Sequence, residues 1–66
     1  MKLQDYLDFY GIKITSFAKK MGKSRVWIYK ILNGHIPHAS DAVLIEKITE
    51  GKVTKEELLF PNRDKN

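Results

Sequence analysis

Residues 13–34 read KITSFAKKMGKSRVWIYKILNG, and the fold turns on how this stretch divides. Ile14, Phe17, Ala18 and Met21 recur at helical spacing, and the pattern stops at Gly22. It restarts after Ser24 as Val26, Ile28, Ile31 and Leu32. An apolar stripe, a glycine able to take φ > 0, a capping serine and a second stripe describe two helices joined by a tight turn. Ala18 is small, as a side chain must be where another helix crosses closely, and with Gly22 four residues later it predicts a close crossing. The stretch holds six basic residues, Lys13, Lys19, Lys20, Lys23, Arg25 and Lys30, and no acidic one.

The first of the two helices is expected to begin at Ile14 or Thr15, with Thr15 and Lys13 as alternative boundary residues. The second is expected from Ser24, its N-cap, to Asn33, with Gly34 as the terminating residue. Successive residues turn by about 100°. That places Ser24, Ile28, Ile31 and Leu32 on one face, expected to pack into the core, and Val26, Tyr29, Lys30 and Asn33 on the opposite one. Arg25 and Trp27 fall on the flanks.

Upstream, Leu3, Tyr6, Leu7 and Tyr10 follow an i, i+3, i+4, i+7 stripe that predicts a further helix, ended by Gly11. Tyr6 and Tyr10 are expected to face the core with their hydroxyls at its edge, and Met21 to lie inside it. Downstream, Pro37 forces a loop over residues 35–39. Ser40 then opens a helix, SDAVLIEKITEG, with Asp41 in its first turn and Gly51 at its end. Ala42, Val43, Leu44, Ile45 and Ile48 make that helix apolar over more than one stripe, enough to cover the core or to face a second subunit. Thr54 and Glu57 form a capping box for a last short helix, whose Leu58, Leu59 and Phe60 are expected to dock back before Pro61 stops it. The fold class is therefore an all-α bundle of four to five short helices over residues 1–61, with 62–66 a disordered tail.

A chain of 66 residues allows one domain and buries only ~60% of the surface its unfolded form exposes. It contains no cysteine, so packed helices or a partner subunit must supply the stability that disulfides or a thiolate zinc site give other small domains. The absence of cysteine also suits a reducing cytoplasm, the expected location. No apolar run follows basic residues at the start, and none reaches the length of a membrane span, so neither a signal peptide nor a membrane partner is expected.

The net charge is +4, and its distribution carries more than its sum. Residues 1–12 give −1, residues 13–30 give +6, residues 31–51 give −2 and residues 52–66 give +1. All the excess sits in the helix-turn-helix, which points to the phosphates of double-stranded DNA as its partner. Catalysis finds no support: no nucleophile, base and orienting group converge, and a domain of this size has scant room for a pocket. The protein is not expected to be an enzyme, nor to carry a cofactor. His35 and His38 lie three apart in a loop with no third ligand nearby, a poor metal site, and none is expected.

Phe17-Ala18, Gly22, Ser24, Ile28, Ile31 and Asn33-Gly34, with Pro37, Ser40 and Ile45–Ile48 behind them, resemble the Cro/repressor-type, or Xre, helix-turn-helix proteins of phages and bacteria. The ending IEKITEGKVTKEELLFP is similar to a subset of small Cro-like and antitoxin-like regulators, so the likeness covers roughly residues 3–61. The resemblance implies Arg25 and Val26 as base readers in the major groove, with Ser24, Tyr29 and Lys30 next, and Lys23, Trp27, Asn33 and His35 at the DNA backbone. An arginine suits that role because it can give two hydrogen bonds to guanine O6 and N7, whereas valine can only contact a thymine methyl.

Three residues depart from the family pattern. Lys23 stands where many members bury an aliphatic side chain, and Ile14 where many carry a glutamine that contacts phosphate or braces a base reader. Trp27 is unusually bulky for a recognition helix, and either covers the core's rim or stacks on the DNA. The expected function is sequence-specific repression by promoter occlusion, as a homodimer on a pseudo-palindrome. The alternatives are an antitoxin-like DNA-binding regulator with a toxin partner, and a helical protein-interaction module whose exposed Val26, Trp27 and Tyr29 bind protein.

Overall fold

A computed structural model describes residues 1–60. Five helices follow one another: α1 (Leu3–Tyr10), α2 (Ile14–Met21), α3 (Arg25–Leu32), α4 (Ala39–Ile48) and α5 (Lys55–Leu59). Among the described residues there is no strand, so the chain is a small all-α bundle. Each helix is too short to persist alone in water, and its stability comes from packing one apolar face. Those faces meet in a single core built from Leu3 and Leu7 of α1, Phe17, Ala18 and Met21 of α2, Ile28 and Ile31 of α3, Ala42 and Ile45 of α4, and Val53 and Leu58. Ile28, Ile45, Val53 and Ala42 are fully sealed from solvent and Phe17 nearly so. Helix α2 packs on both α3 and α4, and α4 on α5.

The turn between α2 and α3 follows from Gly22, whose φ is 69°. Its N–H donates to Lys19 O at 3.1 Å and the N–H of Lys23 donates to Ala18 O at 2.9 Å, the paired bonds that close a helix through a left-handed residue. A Cβ built on Gly22 meets no atom within 4 Å. Glycine is needed here for the backbone angle and not for space, as expected, and Ala18, buried in the core, is the small residue at the crossing. Ser24 then caps α3, accepting a hydrogen bond from Trp27 N–H at 3.2 Å. The serine stays exposed at the helix start instead of joining Ile28, Ile31 and Leu32 on the inward face.

Helix α2 begins at Ile14 with Lys13 at the N-cap and no side-chain cap, which decides between the two boundary residues the sequence left open and places Thr15 within the first turn. The ends of α4 differ from the sequence reading. Helix α4 begins at Ala39 with His38 at the N-cap, which places Ser40 inside the helix. The cause is the backbone of His38, extended at φ −63° and ψ 153° one residue after Pro37: the His38 carbonyl already accepts the N–H of Ala42. At its other end α4 stops at Ile48, and the reversal that Gly51 was expected to make alone takes two left-handed residues, Glu50 (φ 56°) and Gly51 (φ 81°).

The link from α4 to α5 is held by Thr49, a residue that apolar periodicity passes over. Its side chain is buried, its hydroxyl donates to Ile45 O at 2.8 Å and accepts the N–H of Val53 at 3.1 Å. One hydroxyl thus satisfies a buried amide in a segment with no regular hydrogen bonding and seats Val53 in the core. The capping box of α5 forms as expected: Glu57 N–H donates to Thr54 Oγ1 at 3.3 Å, and Thr54 N–H to Glu57 Oε1 at 3.1 Å. The Met1 ammonium also donates to Glu57 Oε1, at 2.8 Å. Burial pushes the Glu57 carboxyl up, but these hydrogen bonds outweigh it and hold the group below its ordinary value.

Two aromatic assignments are corrected. Tyr10 is exposed, leaning on Tyr6 at 4.9 Å between ring centroids while Tyr6 alone reaches the core. Phe60, expected inside with Leu58 and Leu59, is 54% exposed, and its backbone leaves helical geometry at φ −130°. Pro61 and the tail at 62–66 lie outside the described residues.

Candidate nucleic-acid interface

Helix α3 has eight residues, and an α-helix with its side chains is about 10–12 Å across, which the B-DNA major groove admits. Ile28 and Ile31 anchor its inner side, Leu32 covers the core's edge, and the opposite side is free of other protein. Val26 is 58% and Tyr29 47% exposed, large values for apolar or aromatic side chains, and Lys30 and Asn33 are exposed beside them. Ser24 and Arg25 are exposed at the helix start, and Lys23 just before it. His35 follows in the exposed connection to α4, its N–H donating to Lys30 O at 3.0 Å. All nine residues singled out from the sequence thus lie on α3 or within three residues of it, with eight exposed and Trp27 half-buried.

The cations of residues 13–30 are exposed, and among the described residues all but one are free of carboxylates. Among the described residues, Lys13, Lys19, Lys20, Arg25 and Lys30 are exposed and have no carboxylate within ion-pair distance. Lys23 differs: its Nζ lies 3.5 Å from Asp41 Oδ1 in the first turn of α4, and 5.3 Å from the centroid of the Trp27 ring. Trp27 is packed against the core from the rim and holds the ammonium over its face, a cation–π arrangement. Lys23 is exposed and turns outward into these two contacts, so it spares the core. Ile14 is half-buried against the core and offers no polar group at the start of α2.

Two surface features escaped the sequence reading. On α1, Phe9 is 73% exposed and stacks edge-on to Tyr10 at 4.9 Å, so Phe9, Tyr10 and Tyr6 form an aromatic ladder running from the surface to Phe17, whose ring lies 6.4 Å from that of Tyr6. The signal was present, since Phe9 falls outside the α1 stripe, among Gln4, Asp5 and Asp8. The second is a cleft of about 200 Å³ between α1, the end of α3 and α5, lined by Leu3, Ile31, Leu32, Val53 and Leu58 among others. It is smaller than the 300–1,000 Å³ typical of ligand pockets. On α4, Val43 is 48% exposed while Leu44 and Ile48 are half-buried, so the surplus apolar stripe is only partly covered by this chain. No helix among the described residues is long and apolar enough to cross a membrane. No family model matches this chain, and neither a curated protein nor a solved structure matches it.

Proposed function

We propose that this protein binds double-stranded DNA in a sequence-specific manner through α3 and represses transcription by occluding a promoter. The observation that carries the reading is the coincidence of two properties on one surface. Helix α3 projects a mixed amide, aromatic and basic face, and among the described residues the exposed cations on or before it in residues 13–30 have no carboxylate within ion-pair distance, Lys23 excepted. Arg25 reads guanine, Val26 meets a thymine methyl, and Ser24, Tyr29 and Lys30 complete the base contacts. Lys23, Asn33, His35 and the exposed edge of Trp27 hold the backbone and fix the register of the helix.

The longest dimension of the molecule is 32 Å, and the chain presents a single recognition helix. Reading two half-sites about 34 Å apart therefore takes a second copy, and the half-covered stripe of Val43, Leu44 and Ile48 supports a homodimer. The likeness to Cro-type proteins places such a repressor in a phage or prophage. A second reading is favoured by the aromatic ladder on α1: an antitoxin-like regulator would use the same DNA contacts and offer Phe9 and Tyr10 to a toxin.

Salt titration tests the common part. Each phosphate neutralised steepens the fall of log affinity with log salt by about 0.9, so the phosphate contact of Lys23 alone predicts a slope of about −0.9 per bound chain, steeper for each exposed lysine that joins it. Fluorescence anisotropy on a labelled duplex reads it directly. A flat response would move the protein to the interaction-module class.

A further inference from the structure

Lys23 is the one cation of the DNA-facing set that meets a carboxylate, and that carboxylate, Asp41, comes from a different helix. The Asp41 side chain is only 15% exposed, so it cannot swing far from the lysine, and Trp27 closes the other side of the ammonium. Phosphate and Asp41 therefore compete for one group of hydrogen-bond donors. We infer that Asp41 acts as a built-in brake on DNA binding: it neutralises Lys23 in the free protein, and each encounter with a phosphate must draw the lysine away from it or tolerate a negative charge behind it. The inference rests on the DNA-binding reading of α3 and adds to it a residue, on α4, that sets affinity without touching DNA.

The physical consequences have opposite signs on folding and on binding. In the free protein Asp41 is favourable twice, through its ion pair and through its place in the first turn of α4, where a negative charge meets the helix dipole. Replacing it should loosen the fold slightly and tighten the complex. A residue with only a structural role would move both in the same direction, since a less stable α3–α4 junction would weaken binding.

The experiment measures the affinity of wild type, Asp41→Asn, Asp8→Asn, Lys23→Gln and the Asp41→Asn/Lys23→Gln double variant for a short duplex of random sequence across a range of salt, with thermal melts of each. Asp8→Asn changes the net charge by the same amount as Asp41→Asn, but Asp8 lies on α1 and is hydrogen-bonded to Gln4. Asp41→Asn should bind roughly two- to five-fold more tightly than wild type, the range expected from an exposed ion pair, with a salt slope steeper by up to about 0.9 and an unchanged or lower melting temperature. In the Lys23→Gln background the gain should fall to that of Asp8→Asn. Equal gains from Asp41→Asn and Asp8→Asn, a gain that survives Lys23→Gln, or weaker binding by Asp41→Asn would each overturn the brake while leaving the DNA reading intact. Wild-type protein that binds no duplex at any salt would overturn the DNA reading, and the brake with it.

Discussion

Arg25→Ala should lower affinity for a selected DNA site by about 1–3 kcal/mol, or roughly 5- to 150-fold, and should erase the preference at one base pair. Arg25 is exposed at the first position of α3 and, among the described residues, has no carboxylate within ion-pair distance to give up on binding. Its guanidinium can therefore be spent wholly on a guanine edge, where two parallel hydrogen bonds distinguish that base from the other three. Substitution leaves the fold alone, since no core contact is lost at an exposed position. Selection of bound sequences from a random duplex pool defines the site, and paired titrations on that site and on random duplex measure the loss. A loss of equal size on both would make Arg25 a backbone contact.

Phe17→Ala should cost about 3–5 kcal/mol of folding stability. The ring is 1% exposed and lies where α1, α2 and the start of the core meet, with Tyr6 against its edge. A domain of this length has a total stability on the order of 3–10 kcal/mol, so the variant should be largely unfolded near physiological temperature. Urea denaturation, followed by helical circular dichroism, reads the difference. Ile36→Ala is the control, because Ile36 is 51% exposed in the connection to α4 and surface changes of this kind stay within about 0.5 kcal/mol. A Phe17→Ala protein as stable as the control would mean that the core does not close on α2.

The helical part of this structure was legible because it rests on short-range rules. The stripe Ile14, Phe17, Ala18, Met21 and its continuation Ile28, Ile31, Leu32 mark two buried faces, and Gly22, Ser24, Thr54 and Glu57 appear in the capping roles their chemistry suits. The apolar side chains left outside also fell where periodicity put them on α3, with Val26 and Tyr29 exposed. What was not legible depends on tertiary placement. Thr49 reads as a polar residue near a helix end, and only the return of Val53 into the core turns its hydroxyl into a buried staple. Tyr10 satisfies the α1 stripe but lies on its last turn, beyond the reach of the other helices, and so remains exposed.

The candidate interface divides in the same way. That residues 23–35 share one exposed side follows from helical geometry, and the structure brings eight of the nine named residues to the surface there. The pairing of Lys23 with Asp41 joins residues 18 apart in sequence, and no local pattern foretells it. It also keeps the lysine out of the core, because the ammonium is drawn to a carboxylate and to an aromatic face. The charge that sequence composition assigns to one undivided basic unit is thus of two kinds, five unpaired cations and one held in check.

Backbone amide chemical shifts recorded by nuclear magnetic resonance during titration with a short duplex locate the surface that meets DNA. With α3 as that surface, the largest changes fall on residues 23–35, with Arg25, Val26 and Lys30 foremost, and α1 around Phe9 and Tyr10 stays near its free positions. Changes centred on α1, or none on α3 at low salt, would contradict that placement.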